Sequence, residues 1–266
     1  MFVKQPDDPW MVPYHMTLGG TWSWEFAHMA TPMMAIGYHR ELEPVLRYFT
    51  DRQNGVGTRS ANVPQSGDVR STKGSYVGTV MFWMNETGSV LWAMAQQYRY
   101  SHDIEWLKAN KASILAAWEW IQNEREATRV MDSGGKKVVY FGLMPAGTPD
   151  DSGGKVYHMT ITDNFTWFGM SEIAKAFHEA GFPEANRLTQ DSDEYRQCIL
   201  DAIAREKLVD PETGLPFVPN EIGAKPNRAT WWMANGPIQL FDTGLLSPND
   251  SYFEPMVQYT NANMAF

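Results

Sequence analysis

Apolar residues recur along much of the chain at the three-and-four spacing of an amphipathic helix, and the runs are separated by Gly, Ser or Pro. The first run predicts a helix from about Trp24 to Ile36, a break at Gly37, and a second helix through RELEPVLRYFTDRQNG that ends at Gly55. A second pair follows as ETGSVLWAMAQQYRY, the turn SHD, and IEWLKANKASILAAWEWIQNERE, where Trp106, Leu107, Ile114, Leu115, Trp118 and Ile121 mark one face. A third pair is predicted at about 165–180 and 183–207; Phe168, Ile173, Ala174, Phe177 and Ala180 carry its first helix, and Gly181 and Pro183 stop it. ATWWMANGPIQLFDTGLLSPNDSYFEPMVQYT reads as a fourth pair cut short, and KKVVYFGL as a short strand-like segment. Residues 56–80 show no sustained period and form a long loop of the kind that carries function. The first helices of the pairs open near Trp24, Thr87, Phe165 and Asn235. The fold class expected is therefore all-α, a series of helical hairpins that bury their faces against neighbours.

One loop concentrates polar chemistry. FGLMPAGTPDDSGGKVYHMTITDNFTW carries Asp150, Asp151 and Asp163 together with Tyr157, His158, Asn164 and Trp167, and leads into a helix expected to begin near Phe165. This reading puts the three carboxylates before the helix. Aspartates there are often caps, because their oxygens accept orphan backbone N–H groups; several carboxylates beside aromatic and amide side chains on a Gly- and Pro-rich loop also suit a sugar. Glu25 and Glu86 each follow a Trp by one to three residues at the start of the first helix of a pair. They read equally as hydroxyl-binding groups and as acids favoured by the helix dipole.

Composition narrows the partners. The net charge of -9, without clustered Lys and Arg, argues against nucleic acid and against an anionic membrane surface. No apolar run reaches the length of a membrane span, and the polar opening MFVKQPDDPW is unlike a signal peptide; no compartment follows from this. The single cysteine, Cys198, forms no disulfide within the chain and sits in a helical pattern, where it reads as core. The six histidines are scattered and HExxH is absent, so neither a metal nor a cofactor is expected. Aromatic residues make up 13% of the chain, including eleven Trp. Most belong in a core, but Trp22, Trp24, Trp83, Trp231 and Trp232 lie around helix starts, where a flat ring can face the apolar side of a sugar.

The hairpin series, GLMPAG followed by acidic residues and TDNFTWFGMSEIAKAFHEAG, and the segment ETGSVLWAMAQQYRYSHDIEWLKA resemble the six-hairpin glycosidases. The resemblance implies an (α/α)6 toroid of the glucoamylase, trehalase and rhamnosidase kind, with about three and a half of the six hairpins present in residues 1–266 as a single, incomplete catalytic domain. It also implies hydrolysis of an oligo- or polysaccharide by paired carboxyl groups. One protonates the leaving oxygen, and the other, about 6.5–9.5 Å away in an inverting enzyme, activates water. On that analogy Asp163 is the general acid with Asp151 next, while Glu25, Glu86, Asp150, Asn164, Trp167 and the loop tryptophans bind sugar. The general base is expected in hairpins beyond this chain, which predicts an isolated chain without turnover. An unfilled toroid edge predicts self-association. The competing readings are an α/α-toroid polysaccharide lyase using His158 and Tyr157, and a non-catalytic carbohydrate-binding fragment.

Overall fold

The computed structural model describes residues 2–4, 11–13, 22–78, 83–148, 156–206, 208–210, 214–223 and 237–263. A two-stranded antiparallel ribbon, β1 (Phe2–Lys4) and β2 (Met11–Pro13), precedes the helices. Three helical pairs follow: α1 (Ser23–Ala35) with α2 (His39–Arg52), α3 (Glu86–Ser101) with α4 (Ile104–Glu126), and α5 (Thr160–Glu179) with α6 (Ala185–Glu206). Two further helices, α7 (Gln239–Asp242) and α8 (Phe253–Asn263), stand where the fourth pair was expected. The described part is thus an all-α hairpin series with a small ribbon, comprising about three and a half hairpins of an (α/α) toroid. No helix among the described residues is long and apolar enough to cross a membrane.

Two classes of helix follow from the sequence pattern. Almost every residue of α3 and of α5 is buried, because small and apolar side chains occupy all faces and each helix is packed on both flanks. In α2 and α6 only one stripe is buried and the other faces carry charge. The inner row is therefore α1, α3 and α5, with α2, α4 and α6 behind it. Inner helices run parallel. From α1 to α3, Ser23 lies beside Glu86 and the His28 ring meets Trp92 at 5.0 Å; from α3 to α5, Gly88 lies against Phe165 and Thr166, while Gln96 donates to Glu172 at 2.8 Å. Their N-terminal ends consequently open on one side of the molecule.

The outer row is stapled by polar contacts. Trp118 of α4, fully buried, donates through Nε1 to Asp191 of α6 at 2.9 Å, and Arg125 of α4 pairs with Glu194 of α6 at 2.7 Å. Hairpin turns use left-handed backbone where the pattern placed breaks: Gly37 at φ 101° and Gly181 at φ 70°. Asp103 caps α4 by accepting the Trp106 N–H at 2.9 Å. The strand expected at KKVVYFGL is corrected to turns with one isolated bridge, Met131 to Lys137; among the described residues its Val and Tyr residues have no neighbouring strand with which to pair.

Candidate functional site at the N-terminal mouth

The loop between α2 and α3 crosses the open side and is held there by buried side chains. Glu124 accepts the N–H groups of Arg70 (2.8 Å) and Ser71 (3.1 Å), and Gln53 donates to the Gly74 carbonyl at 2.6 Å. Ser66 donates to Thr148 at 2.7 Å and so ties this loop to the one preceding α5. Under these loops lie the first turns of the three inner helices.

Glu86 opens α3 and is buried. Its carboxylate accepts N–H groups from Gly78 (2.9 Å), Trp83 and Ser23, joining the loop to the starts of α1 and α3. Burial outweighs these donors and pushes the carboxyl up to about 8. The folded protein therefore keeps a proton that the unfolded chain releases above the ordinary value of 4.5, so this group's contribution to stability is complete below 4.5 and is lost as pH rises towards 8. Stability is expected to fall steadily as pH rises through that window. Glu86→Gln should flatten the slope; melting temperatures of both proteins from pH 4.5 to 8.5 test this, and parallel curves would rule it out. The rings of Trp22 and Trp83 lie 5.7 Å apart and tilted by 34°, and both are buried.

Asp163 is the second buried carboxyl at this end. The expected helix start is corrected here: α5 begins at Thr160, more than a turn before Phe165, so Asp163 and Asn164 are helical residues. The β-branched run TIT is recruited into the helix because Thr160 is anchored at both groups, its N–H donating to the Asn220 carbonyl (2.8 Å) and its Oγ1 to the Pro219 carbonyl (2.6 Å). Asp163 is not a cap. Its Oδ1 accepts the Tyr195 hydroxyl at 2.5 Å and the Met144 N–H at 2.8 Å, and Oδ2 has no protein partner among the described residues. Burial raises the carboxyl to about 6, against the stabilising Tyr195 and Met144 bonds and the Arg125 charge.

The remaining expected residues divide. Asn164 is buried, with Oδ1 accepting from Thr243 at 2.7 Å. Trp167 is buried in the main core, its ring 6.5 Å from that of Phe168. Trp24 and Glu25 are half-buried on α1. Asp150, Asp151, Trp231 and Trp232 lie outside the described residues. Sequence reasoning missed Tyr195, which arrives from the outer helix α6, and a cleft of about 220 Å³ lined by His28, Trp92, Phe165, Phe168, Gln239, Asp242 and Thr243. Neither had a local signal: His28 and Trp92 were ordinary members of helical runs.

A pattern in the polar atoms sets this end apart. Among the described residues, buried side-chain atoms without a hydrogen-bond partner include Ser23 Oγ, Trp24 Nε1, Trp83 Nε1, Asn85 Oδ1, Thr162 Oγ1, Asp163 Oδ2, Asn164 Nδ2 and Thr166 Oγ1. These eight cluster in the N-terminal turns of α1, α3 and α5 or just before them, whereas the other such atoms, among them His39 Nδ1, Arg52 Nε, Gln97 Oε1, Glu184 Oε2 and Arg205 Nε, are scattered over the rest of the described residues. Leaving a buried polar atom unpaired costs about 1–3 kcal/mol, and a protein concentrates such costs where a ligand relieves them.

Hairpin series, parallel inner helices and a polar-aromatic mouth at their N-termini make this the fold of the six-hairpin glycosidases. No protein-family model and no curated protein matches the sequence. Solved structures do. A wild-type glycosidase superposes with a TM-score of 0.54 at 12% identity over 91% of this chain and 60% of its own, and a glycosidase point variant with 0.56 at 12% over 91% and 60%. A Streptococcus pneumoniae protein from a family of metal-independent α-mannosidases, solved in a non-productive substrate complex with α-1,6-mannobiose, superposes with 0.56 at 10% identity, covering 90% of this chain and 63% of its own. The chain thus spans about three-fifths of the length of these structures, and what it shares with them is the fold.

Proposed function

We propose that residues 1–266 belong to one catalytic domain of a glycoside hydrolase that acts on an oligo- or polysaccharide, with inversion, by carboxyl acid/base catalysis and without a cofactor. The observation that carries this reading is the set of unpaired buried polar atoms around Asp163, Asn85 and Ser23, beside tryptophan rings, in a fold whose solved examples are glycosidases. A polyol has hydroxyls to meet both the donors and the acceptors of that set and apolar C–H faces for the rings. Asp163 is the proton donor: its carboxyl is held up near 6, and Oδ2 is its free oxygen. The base that activates water is supplied from outside the described residues.

His158 gives the lyase reading a specific foothold. Its Nδ1 lies 3.0 Å from the Met144 carbonyl and must carry the hydrogen, burial holds the ring's pKa below the ordinary value, and Nε2 is left with its lone pair. One assay series separates the readings: the pure chain, and a protein extended by the hairpins that would carry the base, are incubated with α- and β-linked disaccharides, α-1,6-mannobiose among them, and with a uronate polymer. Monosaccharide released with inverted anomeric configuration in the NMR spectrum by the extended protein, and none by the chain alone, is the expected result. An unsaturated, ultraviolet-absorbing product would transfer the chain to the lyases. A melting temperature raised by sugars without turnover by either protein would leave a carbohydrate-binding role.

A further inference from the structure

We propose that Tyr195 is a positioning residue for Asp163: by donating its hydroxyl hydrogen to Oδ1 it confines the transferable proton to Oδ2. This rests on the general-acid role proposed for Asp163. Two donors, Tyr195 OH at 2.5 Å and Met144 N–H at 2.8 Å, converge on the same oxygen. A proton placed on Oδ1 would face both of them, so the neutral acid carries it on Oδ2, the oxygen free of protein partners among the described residues. General acid catalysis needs its proton at one defined place, and a carboxyl has two oxygens to choose from.

Both donors are set by one guanidinium. Arg125, buried in α4, lies 3.8 Å from the centre of the Tyr195 ring and fixes its plane. The same side chain donates through Nε to the Gly142 carbonyl at 2.8 Å, which seats the loop that delivers the Met144 N–H. Arg125 is itself held by Gln122 (2.6 Å) and Glu194 (2.7 Å), and Glu194 also takes Arg129 and the Cys198 thiol. The charged and titratable groups around Asp163 are thus Arg125 from α4, Tyr195, Glu194 and Cys198 from α6 with Arg129 bound to Glu194, and, on the loop side, His158, which bonds the Met144 carbonyl, stacks on Tyr140 and feels the charge of Asp68.

The test is Tyr195→Phe, which keeps the ring beneath Arg125 and removes only the hydroxyl. Two quantities are read: the Asp163 titration, by carbon NMR of carboxyl-labelled protein assigned with Asp163→Asn, and the pH profile of kcat/KM on a disaccharide in the protein extended by the hairpins that carry the base. Losing a donor to the carboxylate should move the titration up by about one pH unit, move the alkaline limb of the profile with it, and lower kcat about tenfold. Should the Phe variant fold poorly, 3-fluorotyrosine at position 195, a more acidic donor, should move both downward. A titration unmoved by either change overturns the inference, whatever the turnover. Absence of turnover in the protein extended by the hairpins that carry the base overturns the glycosidase reading instead, and the two failures are distinguished because the NMR titration needs no substrate.

Discussion

Gly169→Ala is expected to lower the unfolding free energy by about 3 kcal/mol or more, near the upper end of the usual overpacking range, and to lower the melting temperature by roughly 6–12 °C. The reason is the crossing of α3 and α5. A Cβ placed on Gly169 falls inside the van der Waals envelope of the Gly88 carbonyl oxygen, and one placed on Gly88 meets the Phe165 carbonyl and the Thr166 Cα in the same way. These are backbone atoms, so no rotamer change relieves the contact, and the two helices have to move apart. Alanine would gain up to about 1 kcal/mol of helix propensity over glycine, so the clash must exceed that gain. It does, because a gap of 0.5–1 Å along a packed interface forfeits roughly a quarter to a half of each dispersion contact. Gly134→Ala is the control: its Cβ meets only the Asp132 carboxyl at 3.3 Å, and φ there is not positive. Its expected effect is within about 0.5 kcal/mol. Calorimetry of the three proteins decides the matter, and equal melting temperatures for Gly169→Ala and the parent would mean that α3 and α5 do not cross at these glycines.

The same crossing explains what could be read beforehand. Hairpins were legible wherever one helix face is apolar and a glycine or turn breaks the period, as at Gly37, Gly181 and the SHD turn, because those features are local. The start of α5 was not. Thr160 to Asn164 have weak helix propensity, and they are helical only because residues some sixty positions later, Pro219 and Asn220, satisfy the first turn. The fourth pair, read as cut short with a first helix from near Asn235 to a break at Gly244, is short as expected: α7 lasts four residues and turns at Thr243 and Gly244, while Asn235 lies outside the described residues. At the site, Asp163 and Glu86 were legible as acids in aromatic company, and Trp118 and Trp120 took their expected places in the core. The role of Tyr195 was not legible, because nothing within α6 marks one tyrosine of an amphipathic stripe as the partner of a carboxyl on another helix.

Asp163→Asn should reduce turnover of a natural disaccharide by about 10²–10⁴, the usual worth of a positioned general acid, equivalent to about 3–5 kcal/mol of barrier. An aryl glycoside with an acidic phenol as leaving group should lose far less, since that oxygen departs without a proton. The substitution leaves the architecture alone: an amide oxygen at the Oδ1 position still accepts from Tyr195 and Met144. Its effect on stability runs the other way. The folded carboxyl titrates near 6 against an ordinary value of 3.8, so its contribution to stability is complete below 3.8 and is lost as pH rises through 6, where the chain must bury a charge. Asparagine carries no such charge. At pH 8 the variant should therefore melt no lower than the parent, while below pH 4 the parent should recover the difference. Lost activity together with retained alkaline stability is the signature of a residue kept for chemistry at the expense of the fold. A buried Asp serving only to join α5 to α6 would give the opposite pair of results, a lower melting temperature at every pH and disaccharide turnover unchanged per folded molecule.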